Sequence, residues 1–178
     1  MTADEAAVAF AKRDPEITRT RELVWQDPRP AAAAGAEMAG IDYMRALIAG
    51  ELPPPPIAVV MRLAPIEVAE GTAIFEGEPG EEHYNPIGVV HGGYASTLLD
   101  SALGCAVHTT LPAGVAYTTL TLEVKFLRPI SRDTGTVRAE AEVTHRGRRQ
   151  ATAEARLLAA GSGKLLATAT STCLIIEP

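Results

Sequence analysis

The sequence predicts an α+β fold in which an antiparallel sheet of about six strands curls around one long helix. Three observations carry that reading. The segment from Gly92 to about His108 has helical length and is apolar or small on every side, through Ala95, Leu98, Leu99, Ala102, Leu103, Ala106 and Val107. Such a helix belongs inside a core. Four later segments alternate apolar and polar residues at the period of half-buried antiparallel strands. Alanine fills much of one face of those segments, and small side chains let a sheet approach a helix closely.

In chain order, residues 1–36 read as an N-terminal arm of mixed charge that ends in Asp27-Pro28-Arg29-Pro30 and a run of alanines. A short helix is expected around residues 6–12. Trp25 is either docked on the domain or carried in a loosely ordered segment. Residues 37–56 read as a helix and a proline-rich connector. Met38, Ile41, Met44 and Ile48 share one helical face, Gly50 suits a C-cap, and Pro53 to Pro56 favour extended chain.

The main domain is expected over residues 57–178. Strand-like pieces at 66–69 and 72–78 flank Glu70-Gly71, a hairpin signal. After the helix, residues 117–128 set Leu120, Leu122, Val124 and Phe126 against Thr119, Thr121, Glu123 and Lys125. Residues 136–145 set Val137, Ala139, Ala141 and Val143 against Arg138, Glu140, Glu142 and Thr144. Residues 150–157 and 165–176 repeat the pattern with alanines at 151, 153, 155, 167 and 169. Arg146-Gly147 and Gly161-Ser162-Gly163 suit the hairpins between them.

Composition removes several functions. A chain of 178 residues is ample for one core with extensions. A net charge of -6 argues against nucleic acid and against anionic lipid as partners. No apolar run approaches the roughly 20 residues of a membrane span. The first twenty residues carry Asp4, Glu5, Lys12, Arg13 and Asp14 without an apolar core, so no secretory signal is seen and a cytoplasmic protein is expected. Cys105 and Cys173 lie far apart among apolar or small neighbours and read as reduced core thiols. HExxH and paired Cys/His spacings are missing, so no metal is expected; GxxxxGK[ST] and a GxSxG elbow around Ser96 are missing too.

The chemistry concentrates in residues 85–105, NPIGVVHGGYASTLLDSALGC. Asp100 is the only Asp, Glu, Lys or Arg between Tyr84 and Leu122. A carboxylate in an apolar helix needs partners or a raised pKa, and it reads either as a structural Asp or as a functional one. His91-Gly92-Gly93 opens the helix, where the first N–H groups lack intrahelical acceptors and the dipole adds positive charge. Glycine lets a ligand approach that backbone, which suits an oxyanion hole as well as a tight turn. Asp100 lies about 12 Å along the helix axis from Gly92 at 1.5 Å per residue. Two groups acting on one carbonyl must both reach within about 3 Å of it. If both are catalytic, they come from different subunits.

Asn-Pro-x-Gly-x-x-His-Gly-Gly, with an Asp nine residues after the His, resembles the hotdog-fold acyl-CoA thioesterases of the PaaI type. The resemblance runs from about Ile57 to the C-terminus and includes Phe126-Leu127-Arg128-Pro129. It implies that Asp100 is the nucleophile or general base, that Gly92 N–H polarises the thioester carbonyl, and that Asn85 and His91 orient substrate or water. It also implies a hydroxyl beside the acid. Thr118, Thr119 and Thr121 are available, and counting back from Pro129 favours Thr119, with Thr121 and Phe126 beside the substrate. The turn His145-Arg146-Gly147-Arg148-Arg149 falls where the family holds the nucleotide end of coenzyme A, and arginines suit phosphates; an ordinary solvated turn is the other reading. Coenzyme A enters as part of the substrate and no separate cofactor is expected. A homodimer with composite sites, stacked as a dimer of dimers, is implied. The competing function is a non-catalytic acyl-CoA-binding module or sensor, since fold alone does not decide activity.

Overall fold

The structure, a computed structural model, describes residues 17–177. Among the described residues three helices come first: α1 (Pro28–Ala36), α2 (Gly40–Ile48) and α3 (Pro56–Met61). Strands β1 (Leu63–Ala69) and β2 (Thr72–Gly77) follow, then the central helix α4 (Gly92–His108). Strands β3 (Ala116–Phe126), β4 (Val137–Arg146), β5 (Gln150–Ala159) and β6 (Leu165–Ile176) complete the chain. All six strands form one antiparallel sheet in the order β1-β2-β4-β5-β6-β3. This is the α+β hotdog architecture expected, a long helix wrapped by a curved sheet.

The core lies between α4 and the inner face of the sheet. Leu98, Leu99, Ala102, Leu103 and Val107 of α4 are fully enclosed and meet Ala139, Ala153, Leu157 and Ala167 of the strands. The alternation in β4, β5 and β6 points inward as expected, with alanines at the closest approach. Met44 of α2, 1% exposed, belongs to the same core.

Several expectations need correction. Residues 28–36, within the segment read as an arm, form a helix. Asp27 caps it by accepting from Arg29 N at 3.0 Å, prolines occupy its first turn, and the alanine run has the highest intrinsic helix propensity. The prolines at 53–55 remain extended, but Pro56 starts α3, which ends at Arg62 in the left-handed region (φ 51°). Trp25 is 54% exposed. The helix expected at 6–12 lies outside the described residues.

The largest correction is in β3. The sequence sets Leu120 with Leu122, Val124 and Phe126, yet Leu120 is 49% exposed. Thr119 pairs with Cys173 and Thr121 with Thr172, so Leu120 is an extra residue in a bulge. A bulge shifts the phase of a strand by one. Tyr117 and Thr119 face the helix before it, Leu122 and Val124 after it, and Thr121 turns to the outer face beside Thr172.

Nor is α4 covered all round. Gly93, Thr97, Asp100, Ser101 and Cys105 form a half-open stripe along it. The hydroxyls on this side bond back to their own helix, Ser96 to Gly92 O, Thr97 to Gly93 O and Ser101 to Thr97 O, at 2.8–3.0 Å. The stripe is thereby smooth and small.

Candidate active site

Asp100 sits on the half-open stripe of α4. Thr119 Oγ1 donates to Asp100 Oδ1 at 3.0 Å. The β3 bulge makes this bond, because an unbulged strand phased on Leu120 would turn Thr119 away from the helix. The neighbouring acids are all held in their protonated forms. Burial pushes the Cys105 thiol up to about 12, opposed by its bond with Tyr117 and reinforced by the charge on Asp100. Burial raises Tyr117 well above its ordinary value, with Cys105, Cys173 and Asp100 adding to it, and burial also raises Cys173. Neither thiol is a nucleophile here.

Gly104, one turn beyond Asp100, lets Tyr117 lie across the helix: a Cβ there would come within 2.9 Å of the ring. Sequence reasoning passed over Gly104, Tyr117 and His108 as sites. The usable signal was the spacing of four residues from Asp100 to Gly104 and on to His108, which places all three on one helical face.

The other end of α4 carries a second cluster. His91 is the N-cap, its Nδ1 accepting from Gly93 N at 2.8 Å. That bond uses the Gly93 donor and leaves Gly92 N–H without an acceptor among the described residues. A Cβ on Gly92 would come within 3.1 Å of the Phe126 ring, so Phe126, 57% exposed, stands over this end of the helix. Asn85 Oδ1 accepts from Ile87 N at 3.1 Å and Val89 N at 3.2 Å, an Asx-type turn that shapes the loop into the helix. His91 N donates to His83 O at 2.8 Å and Val90 N to Ile130 O at 2.9 Å, pinning the loop from two sides.

The expected residues thus fall into three groups within one chain. Asp100 and Thr119 are bonded. Asn85, His91, Gly92 and Phe126 gather at the N-terminal end of α4, about 12 Å away along the axis. His145, Arg146, Gly147, Arg148 and Arg149 form the β4–β5 hairpin, whose end lies on the strand row Ala151, Cys173, Thr119. Two strand spacings put that row's end about 10 Å from Thr119. Thr121, on the outer face, is brought to none of them.

A thioesterase superfamily model matches residues 87–165. A solved structure from Ralstonia eutropha JMP134, described as a phenylacetic acid degradation-related thioesterase, is 32% identical, with a TM-score of 0.67, covering 74% of this chain and 98% of that one. The chain belongs to the thioesterase superfamily. Its relatives there include a variant of the phenylacetic acid degradation protein PaaI of Thermus thermophilus, 30% identical, with a TM-score of 0.61 and 67% and 98% of the two chains covered. An esterase-named protein of Halobacterium salinarum is 47% identical over 57 residues; the match takes in 31% of this chain and about a third of that relative, 34%. The superfamily match spans α4 and the last residues of the loop before it, and so includes both Gly92 and Asp100 but not Asn85. Among the described residues no cluster of His, Cys, Asp or Glu suits a metal ion, and no helix is long and apolar enough to cross a membrane.

Proposed function

We propose that this superfamily member hydrolyses the thioester of an acyl- or aryl-CoA to free acid and coenzyme A, at sites shared between two copies of the chain. The observation that carries the reading is the Asp100–Thr119 bond of 3.0 Å together with an unspent Gly92 N–H about 12 Å away on the same helix. In the reaction, Asp100 removes a proton from the water that attacks the carbonyl carbon, or attacks it directly to give an anhydride that water then opens. The C–S bond breaks, sulfur leaves as a thiolate, and a proton returns to it. Gly92 N–H of the partner subunit donates to the carbonyl oxygen as negative charge develops there. Thr119 engages one carboxylate oxygen and leaves the other for the reaction.

Distance requires the second copy, since Gly92 and Asp100 of one chain cannot meet at one carbon. Two surfaces suit that copy. One is the half-open N-terminal part of α4 at Gly93, Ser96 and Thr97. The other is β3, an edge strand with Leu120 and Phe126 exposed, whose free backbone groups pair readily with another strand. Two such dimers stack into a tetramer. Arg146, Arg148 and Arg149 hold the phosphates of coenzyme A, which arrives with the substrate; no other cofactor enters. A coenzyme A thioester as substrate favours a cytoplasmic protein.

The test is release of free thiol from a panel of acyl-CoAs by the wild-type chain and by Asp100→Asn. Steady turnover that Asp100→Asn abolishes supports the enzyme. Tight binding of the panel without turnover leaves an acyl-CoA-binding module in its place.

A further inference from the structure

The N-terminal helices, which precede the residues matched by the superfamily model, border a half-open cavity of about 1040 Å³ whose lining includes Asp100 and Thr119. One wall is the face of α4 carrying Asp100, Ser101, Gly104, Cys105 and His108, with Tyr117 lying across Gly104. The opposite wall comes from α1 through Ala32, Gly35 and Ala36, and from α2 through Tyr43, Met44 and Leu47. Leu52 and the prolines that follow close one side.

This wall is built into the fold. Gly114 N donates to Ala36 O and Gly40 N to Leu111 O, both at 2.9 Å, which ties the α1–α2 junction to the loop after α4. The Tyr43 ring lies on Gly35, where a Cβ would meet it at 2.6 Å, and tilts against His108 at 5.4 Å between ring centroids. Upstream, the Arg21 guanidinium donates to Val59 O at 2.6 Å and Val60 O at 3.2 Å, and pairs with Glu82 at 3.3 Å. The segment leading into α1 is thus held down on the end of α3.

We propose that this cavity is the acyl site, that the acyl chain runs from Asp100 past the Tyr117 ring towards α1 and α2, and that these helices set the chain length accepted. The inference rests on the thioesterase reading and adds its specificity. The cavity of about 1040 Å³ is the room offered to the chain. The lining beyond Asp100 suits hydrocarbon. Burial keeps His108 in its neutral form and Cys105 protonated, and Glu51, an exposed residue, is the only other carboxylate on it. A charge at the reacting end and an uncharged channel behind it fit an apolar medium-length acyl group.

The experiment uses the full chain, non-hydrolysable S-alkyl-CoA thioethers from methyl to hexadecyl, and the matching acyl-CoA substrates. Ala32→Trp, at an exposed position on α1, and Leu47→Trp, half-buried on α2, each place a large ring in the cavity. In the wild type, affinity should rise with alkyl length up to a medium chain and then level off. Each variant should move that break to a shorter chain and cost at least tenfold in affinity for the decyl ligand. The methyl ligand should change less than twofold, with circular dichroism unchanged. Alkyl-length profiles identical to wild type in both folded variants would overturn the assignment. Length-dependent thioether binding without turnover of any acyl-CoA would instead overturn the thioesterase reading and leave the acyl site standing.

Discussion

Thr119 Oγ1 donates to Asp100 Oδ1 at 3.0 Å across 19 residues of sequence, and one bulged residue, Leu120, makes the bond. A hydrogen bond to a charged group contributes about 1.5–3 kcal/mol. If it holds the reactive carboxylate in place, Thr119→Ala should lower kcat roughly 10–100-fold with little change in KM. Asp100→Asn should lower kcat by several orders of magnitude in a protein that still folds and binds coenzyme A. Steady-state kinetics of both variants checks the ranking; a Thr119→Ala enzyme with full kcat would leave the threonine a structural role only.

Composite sites can be seen by mixing chains. An Asp100→Ala chain and an Asn85→Ala chain are each expected to be inactive as homodimers. After subunit exchange, a heterodimer holds one site with both lesions and one with neither, so activity should return to a substantial fraction of wild type. Proven exchange without recovery would show that the two groups do not meet across an interface.

The β4–β5 hairpin gives a prediction of a different kind. If Arg148 and Arg149 hold phosphates, replacing either with Ala should raise KM several-fold while kcat changes little. The difference from wild type should shrink at high salt, because exposed charges are screened within about 10 Å at 0.1 M. Identical KM values at low salt would return this turn to plain solvated surface.

Gly104→Ala sets two effects against each other. Alanine in a helix interior gains about 1 kcal/mol over glycine. The new Cβ would press on the Tyr117 ring at 2.9 Å, and overpacking of a closed site costs about 1–3 kcal/mol. The steric term is the larger. Urea denaturation should therefore show a less stable protein, and Tyr117 should shift from its place between Asp100 and His108.

His108 predicts a pH dependence. Burial holds its pKa below the ordinary 6.5, with the neutral rings of Tyr43 and Tyr117 against it at 5.4 and 5.3 Å. Below pH 6.5 the unfolded chain takes up a proton that the folded chain refuses. Its contribution is therefore fully present above pH 6.5 and is lost as pH falls from there through the lower folded-state value. His108→Gln should flatten the fall in stability over that window, which urea titrations at several pH values would show.

The periodic features were legible in the sequence because they belong to short stretches of chain. The helix from Gly92 to His108, the alanine faces of β4, β5 and β6, and the His91-Gly92-Gly93 entry with Asp100 nine residues on can all be read without knowing what packs against them. The separation of Gly92 and Asp100 was legible for the same reason, since helical rise converts spacing into distance. Three features depended on partners far along the chain. The phase of β3 reverses at Leu120 because pairing with β6 skips one residue, and that step placed Thr119 on Asp100 and turned Thr121 outward. The open stripe on α4 exists because six strands cover only part of a helix that is small and apolar on every side. The wall of α1 against Tyr43 and His108 is made by chain segments some 70 residues apart; local sequence determines that each segment is helical, and only tertiary packing decides that together they border a cavity at the carboxylate.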